Sequence, residues 1–198
     1  MSTRSVIAER QGDGWRGVYH HSDGYPHGLG CYIFRLIRQK YKGNVRTFLD
    51  YALGHDGGWS HIFPGRLLVA GKGGRDHYSE REASQCFCHG YFARRDKVKP
   101  GQGGGVQTHD KHGFDIEWVY VLDPEAKTMA VIKHAASDSC PDRPSLSRGV
   151  RHGPDFGLKA VVNLDGEEPD WWAMEGKNPA DDPRYGQTWV DSHLPRAA

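Results

Sequence analysis

The sharpest constraint lies in residues 115–135. There DIEWVYVLD sets Ile116, Trp118, Tyr120 and Leu122 on one side, DPEAK turns the chain, and TMAVIKHA returns. Strict alternation over this length is the period of a strand with two different faces, and two such runs around a Pro-Glu turn predict an antiparallel hairpin. A second hairpin is predicted near the N-terminus, where TRSVIAE and WRGVYHH flank QGDG, a Gly-Asp-Gly turn. On its second strand Trp15, Gly17, Tyr19 and His21 share one side while Arg16, Val18 and His20 share the other, so the adjacent histidines point opposite ways.

Between these hairpins the period changes. Leu29, Ile33, Leu36 and Ile37 recur at helical spacing; Asn44 is placed to cap a second run of Val45, Phe48, Leu49, Ala52 and Leu53, which Gly54 stops. A further strand pair is expected in LKAVVNL and WWAMEG, joined at Asp165 and Gly166. Strands, then helices, then strands, without βαβ alternation, predict the α+β class: one domain over residues 1–178, a mostly antiparallel sheet built from hairpins, and a two-helix arm after the second strand. Residues 54–114 carry dense Gly, His and Arg with weak periodicity, and a Gly-rich loop is expected near 97–113. Residues 179–198, rich in Pro, Asp and Arg, read as a surface tail.

A chain of 198 residues has room for one substantial core, and with six Trp, nine Tyr and seven Phe much of that core must be aromatic. Lys plus Arg number 26 against 25 acidic residues, so no global field recruits nucleic acid or an anionic membrane. The run FARRDKVK, with Arg94, Arg95, Lys97 and Lys99, reads as a solvated face, and GKGGR at 71–75 lacks phosphate-loop spacing. No apolar run reaches the roughly 18–20 residues of a membrane-spanning helix. The polar start MSTRS shows no apolar leader, so the expected setting is a reducing cytoplasm with Cys31, Cys86, Cys88 and Cys140 as free thiols.

Chemistry concentrates in GVYHHSDGYPHGLGCY, residues 17–32. Asp-Gly-Tyr-Pro is sound turn chemistry by itself, yet a turn does not need His20, His21 and His27 around it. The expected ligand-binding set is Arg4, Tyr19, His20, His21, Asp23, Tyr25 and His27, with Tyr32 as a further flat wall and the N–H groups of Gly28 to Gly30 open to an anion. Arg4 is expected to fork onto Asp23. Metal alternatives are His20, Asp23 and His27, or zinc at Cys86, Cys88 and His89 in QCFCHG; the expectation is that no cofactor is needed. Removal of Met1 would expose Ser2 as a nucleophile with its own amine as base.

In TRSVIA, YHHSDGYPHGLG and EWVYVLD the chain resembles a family of uncharacterised proteins of actinobacteria and their phages, which carry a TRS-x-IA start and a DGYP-x-G-x-G turn. The resemblance implies a compact protein of the bacterial host cytoplasm and names no reaction. The functional expectation is therefore an accessory binding protein that engages a small polar ligand or a host protein at the DGYP turn. A hydrolase, using processed Ser2 or one of the metal sets, is the alternative.

Overall fold

The computed structural model describes residues 3–21, 23–54, 58–59, 62, 67–70, 76–79, 106–108, 116–134 and 157–176. Its centre is a six-stranded sheet with two helices against one face. The first hairpin forms as its alternation requires: β1 (Ser5–Gln11) pairs antiparallel with β2 (Gly14–His20), from Ser5 opposite His20 to Gln11 opposite Gly14. Gly12 takes φ +55°, the left-handed value that a two-residue hairpin turn demands at its first central position.

After the turn at residues 23–25 the chain enters a single π-helical turn (Pro26–Gly30) that runs directly into α1 (Cys31–Gln39). The periodicity beginning at Leu29 thus belongs to two helical geometries in series. Helix α2 (Val45–Leu53) starts where Asn44 accepts the Thr47 N–H at 2.9 Å and buries Val45, Phe48, Leu49 and Ala52. Strands β3 (Leu67–Ala70) and β4 (Asp76–Ser79) pair antiparallel as a separate two-stranded sheet. β5 (Val106–Thr108) lies within the segment expected to be a Gly-rich loop. That expectation is corrected for these three residues, because Val106, Gln107 and Thr108 pair with Val18, Gly17 and Arg16 along the open edge of β2.

The hairpin of residues 115–134 appears as β6 (Trp118–Asp123) and β7 (Thr128–Lys133), and β8 (Gly157–Asn163) continues the sheet beyond β7. The order is β5-β2-β1-β6-β7-β8. Every pairing is antiparallel except β1 with β6, which joins the two hairpins side by side in parallel. The second expected strand pair is half wrong: β8 pairs with β7, while WWAMEG is a turn followed by a short 3-10 helix (Ala173–Glu175). The cause is local. The Asp170 carboxylate accepts the N–H groups of Trp172 and Ala173, at 3.0 and 3.1 Å, and coils the chain before it can extend.

Two apolar layers follow from strand alternation. Ile7, Val18, Trp118, Tyr120, Leu122, Met129 and Val131 meet the helices, which contribute Ile33, Phe34, Ile37, Phe48 and Leu49. On the opposite face Val6, Ala8, Trp15, Tyr19, Val119 and Val121 form a second cluster. Ile116 belongs to that second cluster and not with Trp118, since residues 116–117 precede the strand and do not share its alternation. No helix among the described residues is long and apolar enough to cross a membrane.

Candidate functional site

The DGYP turn is tied down at both ends by backbone. Asp23 occupies φ +54°, a left-handed conformation that Asp tolerates better than most residues because its short polar side chain bonds locally. Here Asp23 Oδ1 accepts the Tyr25 hydroxyl at 3.0 Å. Gly24 donates its N–H to the Thr3 carbonyl at 3.0 Å, and its carbonyl accepts the Tyr120 hydroxyl at 2.7 Å. A Cβ on residue 24 would lie 2.6 Å from Ser5 Cβ and 2.8 Å from the Thr3 oxygen, so only glycine lets the turn sit this low on β1. Gly24 of the turn and residues 3–5 are therefore two halves of one contact.

Beyond the turn, three rings stack. The imidazole of His27 lies between Tyr25, at 4.2 Å and 21°, and Trp172, at 3.5 Å and 11°. With both ring faces covered, only the edges remain for hydrogen bonding. Glu175 takes one edge: its Oε1 accepts the His27 backbone N–H at 3.1 Å and is bonded to His27 Nδ1. The His27 side chain is 4% exposed and that of Glu175 3%. A carboxylate only accepts, so in the neutral imidazole this bond puts the ring proton on Nδ1 and leaves Nε2 as a lone-pair acceptor. His27 Nε2 makes no hydrogen bond among the described residues.

The segment that supplies Trp172 and Glu175 is held to α1 by charge. Arg35, 2% exposed, directs Nε at both oxygens of Glu168, at 3.0 and 2.9 Å, and its terminal nitrogen at Oε1 at 2.8 Å. The same oxygen accepts Trp171 Nε1 at 3.0 Å and Cys31 Sγ at 3.4 Å. Burial alone raises the Glu168 carboxyl pKa, but the Arg35 hydrogen bonds and charge, with Trp171 and Cys31, outweigh it and hold that pKa below its ordinary value. Under the turn, burial first and then the nearby charge of Glu175 push the Tyr120 phenol well above its ordinary range, opposed by a hydrogen bond from the Gly30 N–H.

The structure brings three of the seven expected binding residues together: Asp23, Tyr25 and His27. His20 is buried on the helix side, where Nε2 accepts the Ile62 N–H at 3.2 Å. Tyr19 and His21 lie on the other side of the strand and bond to each other, hydroxyl to Nδ1, at 2.8 Å. Arg4 contributes its carbonyl to the Glu117 N–H at 2.9 Å. The expected Arg4–Asp23 fork is replaced by the backbone bond from Gly24 to Thr3, and Asp23 has no ion pair among the described residues.

The anion site expected at Gly28 to Gly30 is also corrected. The N–H of Gly28 goes to the Tyr25 carbonyl and that of Leu29 to Asp23, each at 3.0 Å, while Gly30 donates to Tyr120. His20, Asp23 and His27 have separate partners, and no group of three or more metal-ligating side chains gathers among the described residues. Ser2, Cys86, Cys88, His89 and the 179–198 tail lie outside the described residues.

Sequence reasoning missed Trp172, Glu175 and Tyr120. A signal for the first two was present: Asp170 and Gly176 bracket WWAME as an Asx-turn residue and a left-handed stop, and Gly176 does take φ +67°. Compared with protein-family models, curated proteins and solved structures, the chain matches none.

Proposed function

We propose that the chain is a non-enzymatic accessory binding protein of a bacterial cytoplasm, engaging a small polar ligand or a host protein at the edge of the Tyr25–His27–Trp172 stack. The observation that carries this reading is His27 itself. Its ring is fixed on both faces and at Nδ1, yet Nε2 has no hydrogen bond among the described residues. Rings and carboxylate already immobilise the imidazole, so a partner meeting Nε2 finds it in place and does not have to order it.

A thermal-shift screen of the purified chain against polar metabolites and bacterial-extract fractions tests the reading. A ligand at a hundred times its Kd adds about 2.7 kcal/mol of stability, enough for a clear shift. The same shift is expected to vanish in His27→Gln and to survive in Glu125→Gln, which alters a distant exposed turn. Hits that survive in His27→Gln would move the site elsewhere.

A hydrolase is the second reading, favoured by the Glu175–His27 pair, since a carboxylate that orients an imidazole is also how a general base is held. That reading further requires either a processed Ser2 or a bound metal, whereas the binding reading requires neither. Intact mass and metal analysis of the purified chain separate the two: Met1 removed or stoichiometric zinc would favour hydrolysis.

A further inference from the structure

The geometry points to a cationic hydrogen-bond donor, a guanidinium or primary ammonium, as the group that the His27 site recognises. This inference rests on the binding reading above and narrows its chemistry. The hydrogen-bonding capacity that the turn still offers selects the ligand's chemistry. Most of the turn's donors are committed: Gly24 N–H to Thr3, Gly28 to Tyr25, Leu29 to Asp23, Gly30 to Tyr120, His27 N–H and Nδ1 to Glu175, and the Tyr25 hydroxyl to Asp23. What remains at the turn among the described residues is acceptor capacity, namely the lone pair of His27 Nε2 and the exposed carboxylate of Asp23, beside a single indole donor in the stack, Trp172 Nε1–H.

The charge has the same sign. Asp23, Asp170 and Glu175 belong to the turn and to the segment stacked on it, and Arg35, the one buried cation among the described residues, is committed to Glu168 through both carboxylate oxygens. An anion arriving here meets lone pairs and carboxylates. A neutral polyol would satisfy Nε2 but gain nothing from the charge, whereas a guanidinium or ammonium satisfies both.

NMR on the full chain labelled with 15N-histidine tests this, because long-range proton–nitrogen correlations report the two His27 nitrogens separately. Four probes are titrated: agmatine, the peptide acetyl-Gly-Arg-Gly-amide, inorganic phosphate and glucose. The expected result is a saturable shift of His27 Nε2 with agmatine or the peptide, and not with phosphate or glucose. Response to agmatine alone assigns a free small molecule as the source; response to the peptide alone assigns an arginine on a protein partner. Asp23→Asn, exposed and remote from the stacked rings' hydrogen bonds to Glu175, should weaken binding about three- to fivefold, the size of one solvent-exposed charge contact. Saturable binding of phosphate or glucose in place of the cations would overturn the cationic assignment while leaving a binding site at His27. Silence of Nε2 toward all four probes would overturn the assignment, and a flat metabolite screen beside it would remove the binding reading as well.

Discussion

Tyr120 stands in the middle of the sheet with its phenol oxygen serving the Gly24 carbonyl at 2.7 Å. Tyr120→Phe keeps the ring and strands that carbonyl, so it should cost about 1–2 kcal/mol at neutral pH. The phenol's folded-state pKa is raised, first by burial and then by Glu175, above the ordinary 10.0. A raised pKa of this kind leaves stability intact below pH 10.0 and erodes it as the pH climbs toward the raised value, because only the unfolded chain ionises readily. Phe has no such loss. Urea denaturation at pH 8 and pH 11 should therefore show the gap between wild type and Tyr120→Phe closing at the higher pH, and a gap that widens would mean the phenol is ionised in the folded state. Of the residues around this phenol, Asp23, Tyr25 and His27 were legible because turn chemistry and an unexplained histidine share one short string. Glu175 was not. It lies 148 positions from His27, and nothing local to either residue encodes that bond.

At the scale of elements, the pairing of α1 with residues 168–176 depends on one ion pair that burial makes sensitive to half-removal. Arg35→Met leaves Glu168 with an uncompensated charge and should cost about 3 kcal/mol or more, with Trp172 fluorescence and His27 signals changing in step. Exchanging both partners for apolar residues should restore much of that loss, which separates the penalty of a lone charge from the worth of the pair. Glu168 also sets an acid limb. Its folded pKa is lowered below the ordinary 4.5, so its contribution is complete above that value and is lost as pH falls through the lowered one. Glu168→Gln should flatten the wild-type decline in stability below pH 4.5. The elements themselves were largely written in local pattern: the Gly-Asp hairpin turn, the Asn44 cap and the alternation around Trp118 each stand where period and punctuation place them. The π-helical turn was not, since Pro26 and two glycines permit several geometries and the Tyr120 and Glu175 bonds choose among them.

Across the whole molecule the sheet has unequal edges. β2 is covered by β5 at residues 16–18 and by Trp59, whose N–H and carbonyl bond Tyr19 and His21. At the other end β8, an edge strand among the described residues, presents Leu158, 62% exposed, and Val161, 59% exposed. Bare apolar edges invite strand addition, so Leu158→Lys with Val161→Thr should leave stability within about 0.5 kcal/mol and lower self-association measured by light scattering at high concentration. Unchanged scattering would place any association elsewhere. The parallel union of β1 with β6 had no counterpart in the sequence, because a pairing between segments so far apart leaves no local period to read.

That union also sets an order of events at the ribosome. β1 precedes every other described strand but lies inside the sheet, and its second neighbour is not made until the chain has grown from Gln11 to Trp118. At roughly 5–20 residues per second the first hairpin waits on the order of 5–20 s with the outer backbone edge of β1 open. A nascent chain stalled before Trp118 should thus be captured by chaperones and cut readily by protease, and one stalled with β6 and β7 fully outside the exit tunnel should resist both. Of the described strands, the earliest in the chain is among the last to be enclosed.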